Sequence, residues 1–228
     1  MTELFEYKTL NANIKAAGDY LLKQLNESTG NILLLLSGGS SLNPVREAFA
    51  HLDKAVLKRI HIAQIDALVV GEDDELSNWR QIKDALGQDL AKTGRQLAII
   101  SLGDEPEDMA IAYEMELEAL LNMADYVIGV YGVGDDGRVA GMLPTSQPEN
   151  FTPFLDGRLV VNYEAADYQR ITTTHELMVR LDEAVVFASG PNKVKMVEKI
   201  NADLPPNKSP VQLFKDVART TIFLGEEQ

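Results

Sequence analysis

Apolar positions along the chain switch between two periods. Leu10, Ile14, Ala17, Leu21 and Leu25 recur at helical spacing, which predicts an amphipathic helix stopped by Thr29, Gly30 and Asn31. Ile32–Leu36 then run apolar without alternation. Such a run reads as a strand buried on both faces, the kind found in parallel sheets covered by helices. Comparable runs follow at 60–65, 96–100, 126–130, 184–188 and 220–223, with a short extended piece at 158–162. Between them lie helical patterns. One carries Val45, Ala48 and Phe49 after an N-capping Asn43 and Pro44, and one carries Trp79, Ile82 and Leu86 behind a capping Ser77. A long one covers 105–123, with acidic first turns that suit the helix dipole. A further helix is expected from Thr172 or Thr173 through Val179, and a last one from Asn192 until Pro205 and Pro206 break it. This alternation predicts an α/β fold with a doubly wound, mostly parallel sheet and helices on both faces. No repeat, low-complexity segment or linker demands a second unit, so residues 1–228 are expected to form a single domain.

Composition narrows the function classes. The chain of 228 residues is 45% hydrophobic and 25% charged, ordinary values for a globular protein. Lys+Arg 21 against Asp+Glu 35 gives a net charge of −14, which argues against a general nucleic-acid or anionic-membrane surface. A local basic pocket for a small anion remains compatible with it. With Cys 0 there is no disulfide, thiolate metal site or cysteine nucleophile. The N-terminal stretch has no basic region followed by an apolar core, and no apolar run approaches membrane-spanning length. A cytoplasmic protein without membrane or nucleic-acid partners is therefore expected.

Candidate chemistry gathers where strands end in glycine. After the first buried strand come Ser37, Gly38, Gly39, Ser40 and Ser41, then a helix. Strand, glycine turn and helix start together favour an anion, because free backbone N–H groups and the helix dipole both point at it. Asp66 ends the second strand. A third exit spells Gly132-Val133-Gly134-Asp135-Asp136-Gly137-Arg138, and a fourth Ser189-Gly190-Pro191-Asn192-Lys193. In open α/β sheets ligands bind beyond the carboxyl ends of the strands, so these loops predict one pocket. Gly132, Gly134 and Gly137 match the dinucleotide fingerprint, but no carboxylate ends the next strand, and Asp135 and Asp136 would face a pyrophosphate. They read better as groups that orient a substrate or cap a turn. The loop 71–75, GEDDE, reads as solvent-exposed.

Taken in order, the SGGSS turn, Asp66, GVGDDGRVAGMLP, RITTT at 170–174 and SGPNKV resemble the 6-phosphogluconolactonase and glucosamine-6-phosphate isomerase family. The short stretch between Pro144 and Arg170 looks more like the lactonase branch. The resemblance implies a Rossmann-like fold and a sugar-6-phosphate substrate, with no metal and no organic cofactor. It implies that Gly38, Gly39, Ser40, Ser41 and Lys193 hold the phosphate. It places Asp66, Asp136 and Arg138 at the reaction centre.

Two departures set expectations for the chemistry. Where the family carries a candidate acid–base histidine, this chain has Arg138, and a guanidinium stays protonated in proteins. Where the family has a glutamate and, in lactonases, an arginine after the aspartate, this chain has Ala67 and Leu68. Three readings follow. The first is a lactonase with Asp66 or Asp136 as base and Arg138 as electrostatic stabiliser. The second is a non-catalytic sugar-phosphate-binding protein, and the third an isomerase or deaminase. His51 and His61 read as surface or satisfied residues, whereas His175 and Arg170 are left without an assigned role.

Overall fold

A computed structural model describes residues 1–166 and 168–227. The strands are β1 (Thr2–Tyr7), β2 (Ile32–Leu36), β3 (Ile60–Gln64), β4 (Asp66–Leu68), β5 (Gln96–Leu97), β6 (Tyr126–Gly132), β7 (Val160–Glu164), β8 (Gln169–Thr173), β9 (Glu183–Ser189) and β10 (Thr220–Gly225). The helices are α1 (Leu10–Glu27), α2 (Leu42–Phe49), α3 (Lys54–Leu57), α4 (Asn78–Leu86), α5 (Pro106–Met123), α6 (His175–Met178) and α7 (Pro191–Glu198). Seven strands make a wholly parallel sheet in the order β1-β10-β9-β6-β2-β3-β5. The doubly wound α/β architecture read from the alternation is thus the one observed.

Every residue of β2 is buried, because both of its faces are covered. Ile32, Leu34 and Leu36 point into a core shared with Leu21 of α1, Val45 of α2 and Ile82 of α4. Leu33 and Leu35 point the other way, toward Tyr113 and Leu117 of α5. Each such side chain contributes roughly 1.5–3 kcal/mol by leaving water. Thr9 caps α1, its hydroxyl accepting from Ala12 N at 3.2 Å. Gly18 lets that helix meet α2 closely, since a Cβ there would lie 2.6 Å from Glu47 Cβ.

A second, three-stranded antiparallel sheet, β4-β8-β7, was not legible in the sequence. The helix expected from Thr172 or Thr173 is instead the end of β8. Three adjacent β-branched threonines suit an extended chain better than a helix. Thr174 then caps the short α6, accepting from Glu176 N at 3.1 Å. The strand expected at 96–100 is only β5, beyond which Ile99–Ser101 form a 3₁₀ turn held by Ile99 N donating to the Gln64 side chain at 2.7 Å. Asn43 is not a cap. A 3₁₀ turn over Gly39–Ser41 runs straight into α2 and leaves Asn43 inside the first turn. The edge strand β1 has no signature in the sequence, because most of its residues are exposed and its pattern carries no buried face.

Candidate functional site

The exits of β2, β3, β6 and β9 open on one side of the parallel sheet, and a cavity of about 290 Å³ lies among them. Its lining includes Ser37, Gly38, Gly39 and Ser40 from the first turn, Asp66 and Leu68 from β4, and Asn78 and Gln81 from α4. Gly132, Gly134, Arg138, Arg170 and Lys193 also line it.

Gly39 adopts φ 74°, a left-handed conformation natural to glycine, and turns the chain from β2 toward α2. Lys193, in the first turn of α7, donates to Ser40 Oγ at 3.2 Å. Gly190 precedes that helix at φ 96°. The lysine and the glycine turn, 153 residues apart in sequence, therefore share one end of the cavity. Ser41 does not. It is fully buried, and its hydroxyl donates to Gly38 O at 3.0 Å, bracing the turn from behind.

The other end is built by the antiparallel sheet. Asp66 pairs with Thr172 and Leu68 with Arg170. Side chains two apart in a strand share a face, so Asp66, Leu68 and Arg170 all look into the cavity. Asn78, beside the Ser77 cap of α4, donates to Asp66 O at 3.0 Å and fixes this strand start. Burial pushes the Asp66 carboxyl above the usual carboxylate range. Arg170, the Asn78 amide, Arg138 and the Ser37 hydroxyl oppose that shift, in this order. Ser37 Oγ lies beside the carboxyl yet forms no hydrogen bond of normal length. Three cations, Arg138, Arg170 and Lys193, thus line one cavity with the Asp66 carboxyl in a chain whose net charge is −14, and the two arginines lie near that carboxyl.

Arg138 follows a tight turn in which Gly137 N donates to Gly134 O at 2.9 Å. Asp136 Oδ1 caps this turn by accepting from Arg138 N at 3.1 Å, and its Oδ2 lies 3.5 Å from Arg138 Nε. Asp136 is exposed and not part of the cavity wall. It steers Arg138. No helix opens at this glycine loop; the chain continues into a turn in which Met142 N donates to Val139 O at 2.9 Å. Ala140 adopts φ 53° there and lines the cavity, a strained conformation for an alanine.

The histidines lie elsewhere. His175 Nε2 pairs with Asp216 Oδ2 at 2.9 Å, His61 accepts from Arg95 N at 3.0 Å, and His51 lies 4.0 Å from Glu47. None lines the cavity. The sequence gives Arg170 no role and does not mark Asn78, Gln81 or Leu76, whereas Leu68, a departure from the family pattern, does line the cavity. The period-2 face of β8 is the signal that marks Arg170, and the Ser77 cap is the one that aims α4 at the site. Among the described residues no cluster of three or more His, Asp or Glu could hold a metal ion, and no helix is long and apolar enough to cross a membrane.

Known proteins match along nearly the whole chain. The family model for glucosamine-6-phosphate isomerases/6-phosphogluconolactonase matches residues 8–223. A 6-phosphogluconolactonase of Mycobacterium leprae is 24% identical over 230 residues, covering 94% of this chain and 92% of its own. The crystal structure of a 6-phosphogluconolactonase from Thermotoga maritima superposes with a TM-score of 0.77 at 20% identity, over 99% of this chain and 100% of that one. A monomeric glucosamine-6-phosphate deaminase gives 0.78 at 16% identity, over 98% and 97%. The structures carry the fold alone, whereas the family model spans most of the sequence, and on that ground the chain belongs to the glucosamine-6-phosphate isomerase/6-phosphogluconolactonase family.

Proposed function

We propose that this chain binds a sugar 6-phosphate lactone and hydrolyses it slowly, as a 6-phosphogluconolactonase-type enzyme without an imidazole base. The observation that carries the reading is Asp66 at one end of the cavity that holds the glycine turn and Lys193 at its other end. Gly38, Gly39, Ser40 and Lys193 take the phosphate through backbone N–H groups, a hydroxyl and an ammonium. Asp66, made more basic by burial, takes a proton from water as the water oxygen attacks the lactone carbonyl. Arg138 and Arg170 stabilise the tetrahedral oxyanion. Collapse of that oxyanion breaks the ring C–O bond, the Asp66 carboxyl returns the proton to the leaving ring oxygen, and the open phosphorylated sugar acid results.

One observation favours a second reading, a sugar-phosphate-binding protein without turnover: a guanidinium stands where a titrating imidazole would serve. The assay separates the two. Proton release from 6-phosphogluconolactone is followed in a pH-stat against the spontaneous rate. Wild type should exceed background, and Asp66→Asn should lose roughly 100- to 10,000-fold of the enzymatic rate. The rate should also fall as pH drops through the Asp66 value, above the ordinary carboxylate range, because the base must be ionised. Wild type at background would favour the binding protein.

A further inference from the structure

Gly39, the exposed centre of the anion turn, does not point its N–H into empty space. It donates to Gln81 Oε1 at 2.8 Å. The acceptor must be the oxygen, since a backbone N–H cannot bond to an amide NH₂ group. The other end of the carboxamide is weakly held, Nε2 reaching Glu75 O at 3.4 Å in the exposed acidic loop. Gln81 also packs on the turn itself, for a Cβ on Gly38 would meet its Oε1 at 2.8 Å. The side chain lines the cavity beside Lys193 and Ser40.

An oxyanion that uses the Gly39 N–H cannot share it comfortably with a carbonyl oxygen, because the two acceptors repel. The carboxamide has a remedy built in. Rotation about its last bond withdraws Oε1 and presents Nε2 to the incoming oxygen. The rotation gives up the bond from Gly39 N–H, which the anion replaces, and the long bond to Glu75 O, from whose carbonyl the turned Oε1 must shift away.

We propose that Gln81 is a phosphate-binding residue that switches role. Its oxygen occupies the Gly39 N–H while the site is empty, and its NH₂ group donates to the phosphoryl group when the site is filled. This inference rests on the phosphate site described above and adds a ligand that composition and motif do not mark. It also makes the site selective. A doubly charged phosphoryl group, rich in acceptors, turns the amide, whereas a neutral sugar end, which is itself a donor, gains nothing from the turned form.

Two variants test the switch, with inorganic phosphate and 6-phosphogluconate as calorimetric probes on the full chain. Gln81→Glu keeps an acceptor for Gly39 N–H, so the empty turn is preserved, but it lacks the donor and adds a like charge. Its affinity should fall at least about tenfold, the scale of one charge-assisted hydrogen bond. Gln81→Leu removes both competitor and donor, and its affinity should lie between those of Gln81→Glu and wild type. Melting temperatures should stay near wild type in both. Gln81→Glu binding as tightly as wild type would overturn the proposal, and so would Gln81→Leu binding more tightly, which marks Gln81 as a mere plug. Lys193→Ala keeps the two levels apart. If that variant weakens binding while the Gln81 variants do not, only the switch fails; if wild type binds neither probe, the phosphate site fails with it.

Discussion

The parallel sheet carries a carboxylate network at each end, and the two are built by opposite rules. Glu183 opens β9 and is fully buried. It accepts from Tyr20 Oη at 2.5 Å, Tyr126 Oη at 2.7 Å, Thr221 Oγ1 at 3.0 Å and Arg219 Nη2 at 2.5 Å. Its oxygens are well supplied with donors. Burial, then the bond to Glu183, pushes the Tyr20 phenol up to about 12, so at neutral pH it is a fixed donor. Asp66, at the exit side, has a carboxyl held above its ordinary range with arginines near it. Beside it Ser37 Oγ and Tyr131 Oη are buried and have no hydrogen-bond partner among the described residues, and in the Glu183 network Arg219 Nε is likewise unpartnered. Buried polar groups are nearly always satisfied, so two unpartnered hydroxyls beside a carboxyl with a raised pKa make that place a candidate for chemistry other than stability. One network ties helix to sheet. The other leaves its chemistry open to a ligand.

The largest effect that would sharpen this contrast lies in restoring an imidazole. Arg138→His together with Ala67→Glu and Leu68→Arg should raise lactone hydrolysis by roughly 100-fold, the lower range for a positioned acid–base group. The three changes are made together because residues acting as a unit need not show their effects singly. A rate no higher than wild type, read against spontaneous hydrolysis at several pH values, would remove Arg138 as the limitation.

Next in size is the closed network. Glu183→Gln puts an NH₂ group where a carboxylate oxygen met donors. We expect about 2–3 kcal/mol of lost stability, discounted from a fully buried pair because Arg219 is partly exposed. Urea unfolding measures it, and a loss under about 0.5 kcal/mol, the range of ordinary surface changes, would show that this end is no more structural than the other.

The smallest effect has the opposite sign. Asp66 binds its proton more tightly in the folded protein than in the unfolded chain. Its contribution to stability is therefore fully present below the unfolded value and lost as pH rises through the raised folded one. Above that raised value the ionised carboxylate is a burden, and there Asp66→Asn should leave the melting temperature unchanged or slightly higher. A clear drop in melting temperature would make Asp66 a structural residue like Glu183.

This contrast also explains what was legible beforehand. β2 could be read because burial on both faces forces an unbroken apolar run, and the glycine turn behind it because only glycine takes φ 74° at ease. Asp66 and Lys193 were legible as chemistry at strand exits. The small sheet was not, because Asp66–Leu68 is a three-residue strand whose pairing with β8 depends on chain more than a hundred residues away. Arg170 therefore surfaced only in three dimensions. Gln81 was invisible for a simpler reason: its helix pattern is set by Trp79 and Ile82, and nothing in that pattern says that its polar face meets the Gly39 turn. The Glu183 network has the same character, since Tyr20, Tyr126 and Arg219 are brought together only by the strand order.

The most direct measurement is a calorimetric titration of wild type and Lys193→Ala with 6-phosphogluconate. The account predicts saturable binding to one site per chain. It predicts that Lys193→Ala weakens this binding by about 1.5–3 kcal/mol, the size of a charge-assisted hydrogen bond. No heat with wild type, or equal affinity in the two proteins, would contradict the claim that the exits of β2 and β9 form a phosphate site.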